Sequence, residues 1–162
     1  MKNITKTILY LQMAAMLATV AFASPKVAEK QLPFRGAIQA VETGEFQFPT
    51  VFVDGSGTGN ATHLGRFTVS YEAEVNVLTE VAVGLYHFIA ANGDSLLTEL
   101  IGHGYPTENP DVVLIVNVHS ITGGTGRFAG ATGSFTEERL LNLVTGISSG
   151  FLEGTIVIHK GK

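Results

Sequence analysis

The sequence predicts an all-β fold, an eight-stranded antiparallel barrel, and three observations support that expectation. Apolar and polar residues alternate with period two along most of the chain. All 19 glycines lie beyond the first two dozen residues and fall between apolar runs, at about twice the usual share. No stretch after the N-terminal segment sustains an apolar stripe at helical spacing. The clearest run covers positions 67–77, where Phe67, Val69, Tyr71, Ala73, Val75 and Val77 share one phase and Thr68, Ser70, Glu72, Glu74 and Asn76 the other. Strict alternation over that length makes a half-buried strand, because successive side chains of a pleated chain point to opposite faces.

Residues 1–23 read as a cleaved signal peptide. Lys2 and Lys6 form a basic n-region, positions 8–22 are apolar apart from Gln12 and Thr19, and Ala21-Phe22-Ala23 places the cut before Ser24. The apolar run is shorter than the roughly 20 residues that cross a bilayer, so no membrane span is expected after cleavage. Residues 24–31 then form a flexible start and 32–162 a single barrel domain. The leader takes two lysines and no acid with it, leaving 8 basic and 14 acidic side chains, a formal charge of −6. Such a balance gives no broad footprint for nucleic acid or an anionic membrane. The absence of cysteine excludes disulfides, thiolate metal sites and thiol nucleophiles. The expected location is secreted or periplasmic, behind a signal of bacterial form. The Asn60-Ala61-Thr62 sequon matters only in a eukaryotic secretory pathway.

Eight runs follow in order: 32–42, 45–53, 61–77, 80–91, 95–104, 112–121, 132–143 and 148–159. Pro49 interrupts the second, predicting a bulge or a weakly paired strand. Asn92-Gly93 predicts a type I′ hairpin turn, which needs positive φ at both central residues. The two prolines at 106 and 110 mark a loop. Positions 137–144 have helical propensity, but Phe135, Glu137, Arg139, Leu141 and Leu143 alternate with their neighbours, which predicts a strand. Eight strands with hairpin-length connections favour an up-and-down barrel or a sandwich. An eight-stranded barrel has room for packed side chains or one small ligand.

The stretch 123–133 holds Gly123, Gly124, Gly126, Phe128, Gly130 and Gly133. Its Gly124-x-Gly126-x-x-Ala129 spacing mimics a dinucleotide fingerprint, which requires a helix next so that amides at its N-terminus receive the pyrophosphate. Glycine and threonine follow instead, so the loop reads as structural, with Phe128 plugging one barrel end and Arg127 capping carbonyls or pairing with an acid. This stretch (GGTGRFAGATG) resembles the signature shared by allene oxide cyclase-type and dirigent-type barrels. Positions 61–68 (ATHLGRFT) resemble a motif of small exported bacterial members of that superfamily. The resemblance implies a calycin-type eight-stranded antiparallel barrel, often a homo-oligomer, whose lumen in the enzymatic branches shapes a reactive hydrophobic molecule. It supports the fold more than any activity and transfers no catalytic set.

Among chemically capable residues, His63 and Arg66 stand beside the glycine-rich tract 55–59, where a histidine and an arginine at a barrel mouth suit a carboxylate ligand or proton donation. The plainer reading has His63 bonding a backbone carbonyl and Arg66 pairing with a surface acid. The five histidines, His63, His87, His103, His119 and His159, are too far apart in sequence for a local metal site, and neither metal nor other cofactor is expected. Glu72 and Glu74 share a face as paired carboxylates would, although a solvated outer face explains them as well. Tyr86, Phe88 and Phe128 are pocket-lining or core aromatics. No nucleophile elbow is present. Together these residues suggest an exported barrel that binds a small apolar or amphipathic molecule, or a partner protein, with His63, Arg66, Tyr86 and Arg127 as ligand contacts. The alternative is an isomerase or cyclase working on a reactive hydrophobic substrate in the lumen.

Overall fold

The computed structural model describes residues 30–159, and the expected signal peptide lies outside them. Eight strands follow one another: β1 (Leu32–Gln47), β2 (Thr50–Ala61), β3 (Gly65–Asn76), β4 (Val81–Ala90), β5 (Ser95–Pro106), β6 (Val112–Gly124), β7 (Thr132–Asn142) and β8 (Ile147–Val157). Each is antiparallel to its neighbour in sequence, and β8 returns to pair with β1, from Leu32 opposite Ile156 to Val41 opposite Ile147. Closure leaves no strand edge exposed to a foreign chain. Among the described residues no helix is long and apolar enough to cross a membrane.

Most expected strands are present, with β7 extended as its alternation requires. Three local expectations need correction. The first strand does not end at Glu42 but runs through Gly44 to Gln47, so Pro49 lies in the turn between β1 and β2, after a cis bond from Phe48. The second does not stop at Val53. It continues through Gly55, Gly57 and Gly59, and the chain reverses at Thr62-His63-Leu64, inside the run expected to be continuous over 61–77. The reason is steric: a Cβ at Gly55 would lie in the Tyr71 ring, and one at Gly59 against the Phe67 ring. These glycines are the interior phase of β2, emptied to seat aromatics of β3. Finally, only Gly93 has positive φ, at 88°, in the Asn92-Gly93 turn. Gly93 N donates to Ala90 O at 2.9 Å, so the hairpin is a type I turn closed by a left-handed glycine rather than type I′.

Inside, the barrel divides into levels. One end is packed solid by Phe34, Phe67, Phe88, Phe128, Phe135 and Leu64, each 4 % exposed or less. The glycine loop closes this end. Its single 3-10 turn (Gly126–Phe128) drives Phe128 inward, while Gly126 and Gly133 adopt φ of 56° and 132° that a side chain would resist. Arg127 holds the turn by donating from Nη2 to Leu64 O at 3.1 Å and standing 3.6 Å from Asp94.

The clearance at Gly55 is open to direct test. Replacing Gly55 by valine should lower stability by about 1–3 kcal/mol, the usual cost of overpacking. Ser56→Val on the exposed phase of the same strand should change it by less than about 0.5 kcal/mol. Urea unfolding midpoints of the two variants make the comparison.

Candidate functional site

Above the aromatic plug the interior turns polar. β6 and β7 aim Asn117, His119, Glu137 and Arg139 inward, all 5 % exposed or less. A charge inside a barrel is tolerated only when paired and hydrogen-bonded. Glu137 Oε2 accepts from Asn117 Nδ2 at 2.7 Å and from the Tyr86 hydroxyl at 3.3 Å. The same oxygen lies 3.6 Å from Arg139 Nε and 3.5 Å from His119 Nε2, close enough for charge but long for hydrogen bonds. His119 is fixed on its other side by Thr98, whose hydroxyl is 3.0 Å from Nδ1, and by stacking on Phe135 at 4.5 Å between centroids.

Arg139 reaches across β8 to β1. Its Nη1 donates to Glu42 Oε2 at 2.6 Å and to Ser148 Oγ at 2.9 Å, linking β7 to β1 and β8. Glu42 Oε2 also accepts from the Tyr71 hydroxyl at 2.6 Å. Tyr71 in turn stacks on Tyr86 with centroids 4.3 Å apart and planes within 12°. These contacts join Glu42, Tyr71, Tyr86, Asn117, His119, Glu137 and Arg139 into one network.

Its electrostatics follow from burial and proximity. Burial pushes the Tyr71 and Tyr86 phenols well above their ordinary value, with Glu42 and Glu137 adding to the shift, so both remain protonated donors. For Glu137, burial works to raise the carboxyl. His119, Arg139 and Asn117 outweigh it and hold the group below its ordinary value. Burial likewise opposes the charge on Arg139, and the carboxylates of Glu137 and Glu42 outweigh it, keeping the guanidinium charged. Four buried polar atoms in this cluster lack a hydrogen-bond partner: Asn117 Oδ1, His119 Nε2, Glu137 Oε1 and Arg139 Nε.

The network is the floor of a cavity of about 410 Å3 that opens at the end opposite the plug. Glu42, Tyr71, Tyr86, Asn117 and Arg139 line its base, and Val51, Val53, Ala73, Val113 and Leu141 its walls. A larger hollow of about 930 Å3 runs along the outer face of β2 to β6, beside Glu72, Glu74 and Glu99. Those carboxylates are exposed to solvent, whereas the lumen holds the buried charges, so the lumen is the candidate site.

Of the four residues expected to contact a ligand, Tyr86 lies in this network. His63 sits in the β2–β3 turn with φ of 64°, exposed, and Arg66 is exposed at the start of β3. Both are at the plugged end, as is Arg127, and the fold does not bring them to the lumen. Phe88 and Phe128 are core. Sequence reasoning missed Glu42, Asn117, His119, Glu137 and Arg139. Each occupies the inward position of its strand, and in β7 Glu137 and Arg139 share the phase of the apolar Phe135 and Leu141. Among the described residues no cluster of three histidine or carboxylate side chains is arranged to hold a metal ion.

No protein-family model matches this chain, and no curated protein matches it. Among solved structures it is similar to the pterocarpan synthase dirigent protein GePTS1, with a TM-score of 0.59 and 14% identity over 83% of this chain and 88% of that one. At that identity the likeness is one of fold. The chain has a dirigent-like β-barrel.

Two substitutions probe the network. Arg139→Met leaves Glu42 and Glu137 without their cation and should cost about 3–5 kcal/mol in urea unfolding. Because the folded Glu137 carboxyl is held below its ordinary value near 4.5, it stabilises the fold above that pH. Its contribution is lost as pH falls through the lower, folded value. Glu137→Gln should therefore give a flatter acid limb when unfolding free energy is measured against pH.

Proposed function

We propose that this protein is an exported carrier or sensor that takes a small amphipathic molecule into its barrel lumen. The supporting observation is the cavity of about 410 Å3, open at one mouth, apolar along its walls and hydrogen-bonding at its floor. That size lies within the range of about 300–1,000 Å3 typical of small-molecule sites. A lumen packed throughout would instead have favoured a partner protein on the outer surface. Export rests on the N-terminal sequence, with its two lysines, apolar run and small-residue cleavage site.

The floor suggests the chemistry of the head group. Two carboxylates, Glu42 and Glu137, share one guanidinium, and of the two Glu42 faces the cavity, beside Asn117 and Arg139. A hydroxyl or other neutral donor fits there better than a further carboxylate, which would add like charge at low dielectric. The apolar body of the ligand would lie against Val53, Ala73 and Val113.

A second reading, an isomerase or cyclase, draws on the same residues. Tyr86 as a protonated donor and Glu137 as a buried carboxylate are 3.3 Å apart below the cavity, an arrangement able to exchange a proton with a bound substrate. Recovery of a bound molecule unchanged after prolonged incubation would favour the carrier, and its conversion the enzyme.

Binding is measured with a neutral fluorescent apolar probe such as N-phenyl-1-naphthylamine. The wild-type protein should bind it at one site, and Ala82→Phe, which fills the lumen from β4, should abolish binding while the protein remains folded. A long-chain alcohol should displace the probe more effectively than the carboxylic acid of equal length. Probe binding unaffected by Ala82→Phe would place the site outside the lumen.

A further inference from the structure

The lumen mouth is bounded by the turns that join β1 to β2, β3 to β4, β5 to β6 and β7 to β8; the first, second and fourth present apolar side chains to water, and Tyr105 near the end of β5 stands beside the polar third, residues 107–111. Phe46 and Phe48 are 61% and 70% exposed, Leu78 68%, Tyr105 49%, and Leu143 and Val144 56% and 74%. Single exposed apolar residues are ordinary, but a ring of them around one opening is not. Phe46 pairs with Val51 on the inward phase of the β1–β2 hairpin, so the apolar wall of the lumen continues past the rim. The plugged end has the opposite character. None of the exposed large hydrophobics falls in the turns at 62–64, 91–94 or 125–131, where Leu64, Phe128 and Ala131 are buried and Thr62, His63, Asn92 and Arg127 face water.

Charge narrows the choice of partner. Glu45, Glu80, Glu108 and Asp111 are exposed within or beside these turns, which contain no lysine or arginine. An acidic rim gains nothing from an anionic membrane. It also disfavours a second copy docked mouth to mouth, because two acidic rings would face each other. A neutral or zwitterionic lipid surface meets neither objection, and its interfacial layer accepts exposed phenylalanine, leucine and tyrosine side chains.

We propose that the protein docks mouth-first on a neutral or zwitterionic lipid surface, with the apolar ring entering the interfacial layer and the lumen opening onto the acyl chains. The docking rests on the rim and its charge, independently of what the lumen binds, so probe binding in vesicle-free buffer separates failure of one reading from failure of the other.

The experiment is flotation of the protein with phosphatidylcholine vesicles, repeated with phosphatidylglycerol replacing part of the lipid. Wild type should float with the first and less with the second. The triple variant Phe48→Ser/Leu78→Ser/Val144→Ser should lose at least about tenfold in partitioning, as expected from removing three exposed apolar side chains from the contact. Ile101→Ser, on the side wall of β5, should behave as wild type. A second measurement does not depend on the triple variant's folding: Phe48→Trp fluorescence should be quenched by brominated phosphatidylcholine, and Thr62→Trp fluorescence should not. Wild-type protein that stays unbound, equal quenching at both positions, or equal loss with Ile101→Ser would overturn the proposal. So would a dimer that the triple variant dissociates without any vesicle binding, a result that would assign the ring to a second copy.

Discussion

The interior of this barrel depends on Arg139. Two carboxylates, Glu42 and Glu137, lie in a space that water barely reaches, and each would be strongly disfavoured alone. The guanidinium lies between them, charged and unable to leave, because it is also held by Ser148 and lies over the Tyr71 ring at 5.5 Å. Since these partners come from β1, β3, β7 and β8, a single side chain fixes the relative positions of strands distant in sequence. A buried ion network of this kind adds little net stability compared with apolar packing. At the foot of an open cavity, the same network supplies the polar floor that the proposed amphipathic ligand would meet.

The two ends of the barrel differ for reasons that begin in the sequence. At one end, glycines at 55 and 59 vacate space for Tyr71 and Phe67, and the loop through Gly126 and Gly133 folds Phe128 over the opening. At the other, the inward residues are Val53, Ala73, Ala82 and Val113, too small to meet across the lumen, and the space between them stays open. The barrel is thus a cup with a packed base, a polar floor and an apolar rim, and entry is possible from one side only.

Much of the fold was legible in the sequence, and less of the site. Alternation located most strands, and along 67–77 it separated the two faces, which the barrel turns inward at Tyr71 and outward at Glu72 and Glu74. It failed at Gly55 and Gly59, because a glycine carries no phase and a strand of alternating glycines looks like a loop. The site was obscured by a related problem. In β6 the outward residues Val116 and Val118 are as apolar as any core residue, so nothing local told which face Asn117 and His119 occupy. In β7, Glu137 and Arg139 sit in the phase of Phe135 and Leu141 and were legible as inward charges. That Arg139 meets Glu42, 97 positions away, follows only from closure of the barrel. His63 and Arg66 stood out through their motif, yet that motif belongs to the turn below the plug.

In the proposed binding mode the lumen receives a ligand whose head group meets the Arg139 network. This mode is tested most directly by a crystal structure of protein purified under native conditions from its own cells, without refolding. Density for a bound molecule is expected in the cavity above Tyr71 and Tyr86, with a polar atom within hydrogen-bonding distance of Asn117, Glu42 or Arg139. A lumen closed by inward movement of its walls, with the network intact and no room for a ligand, would contradict it.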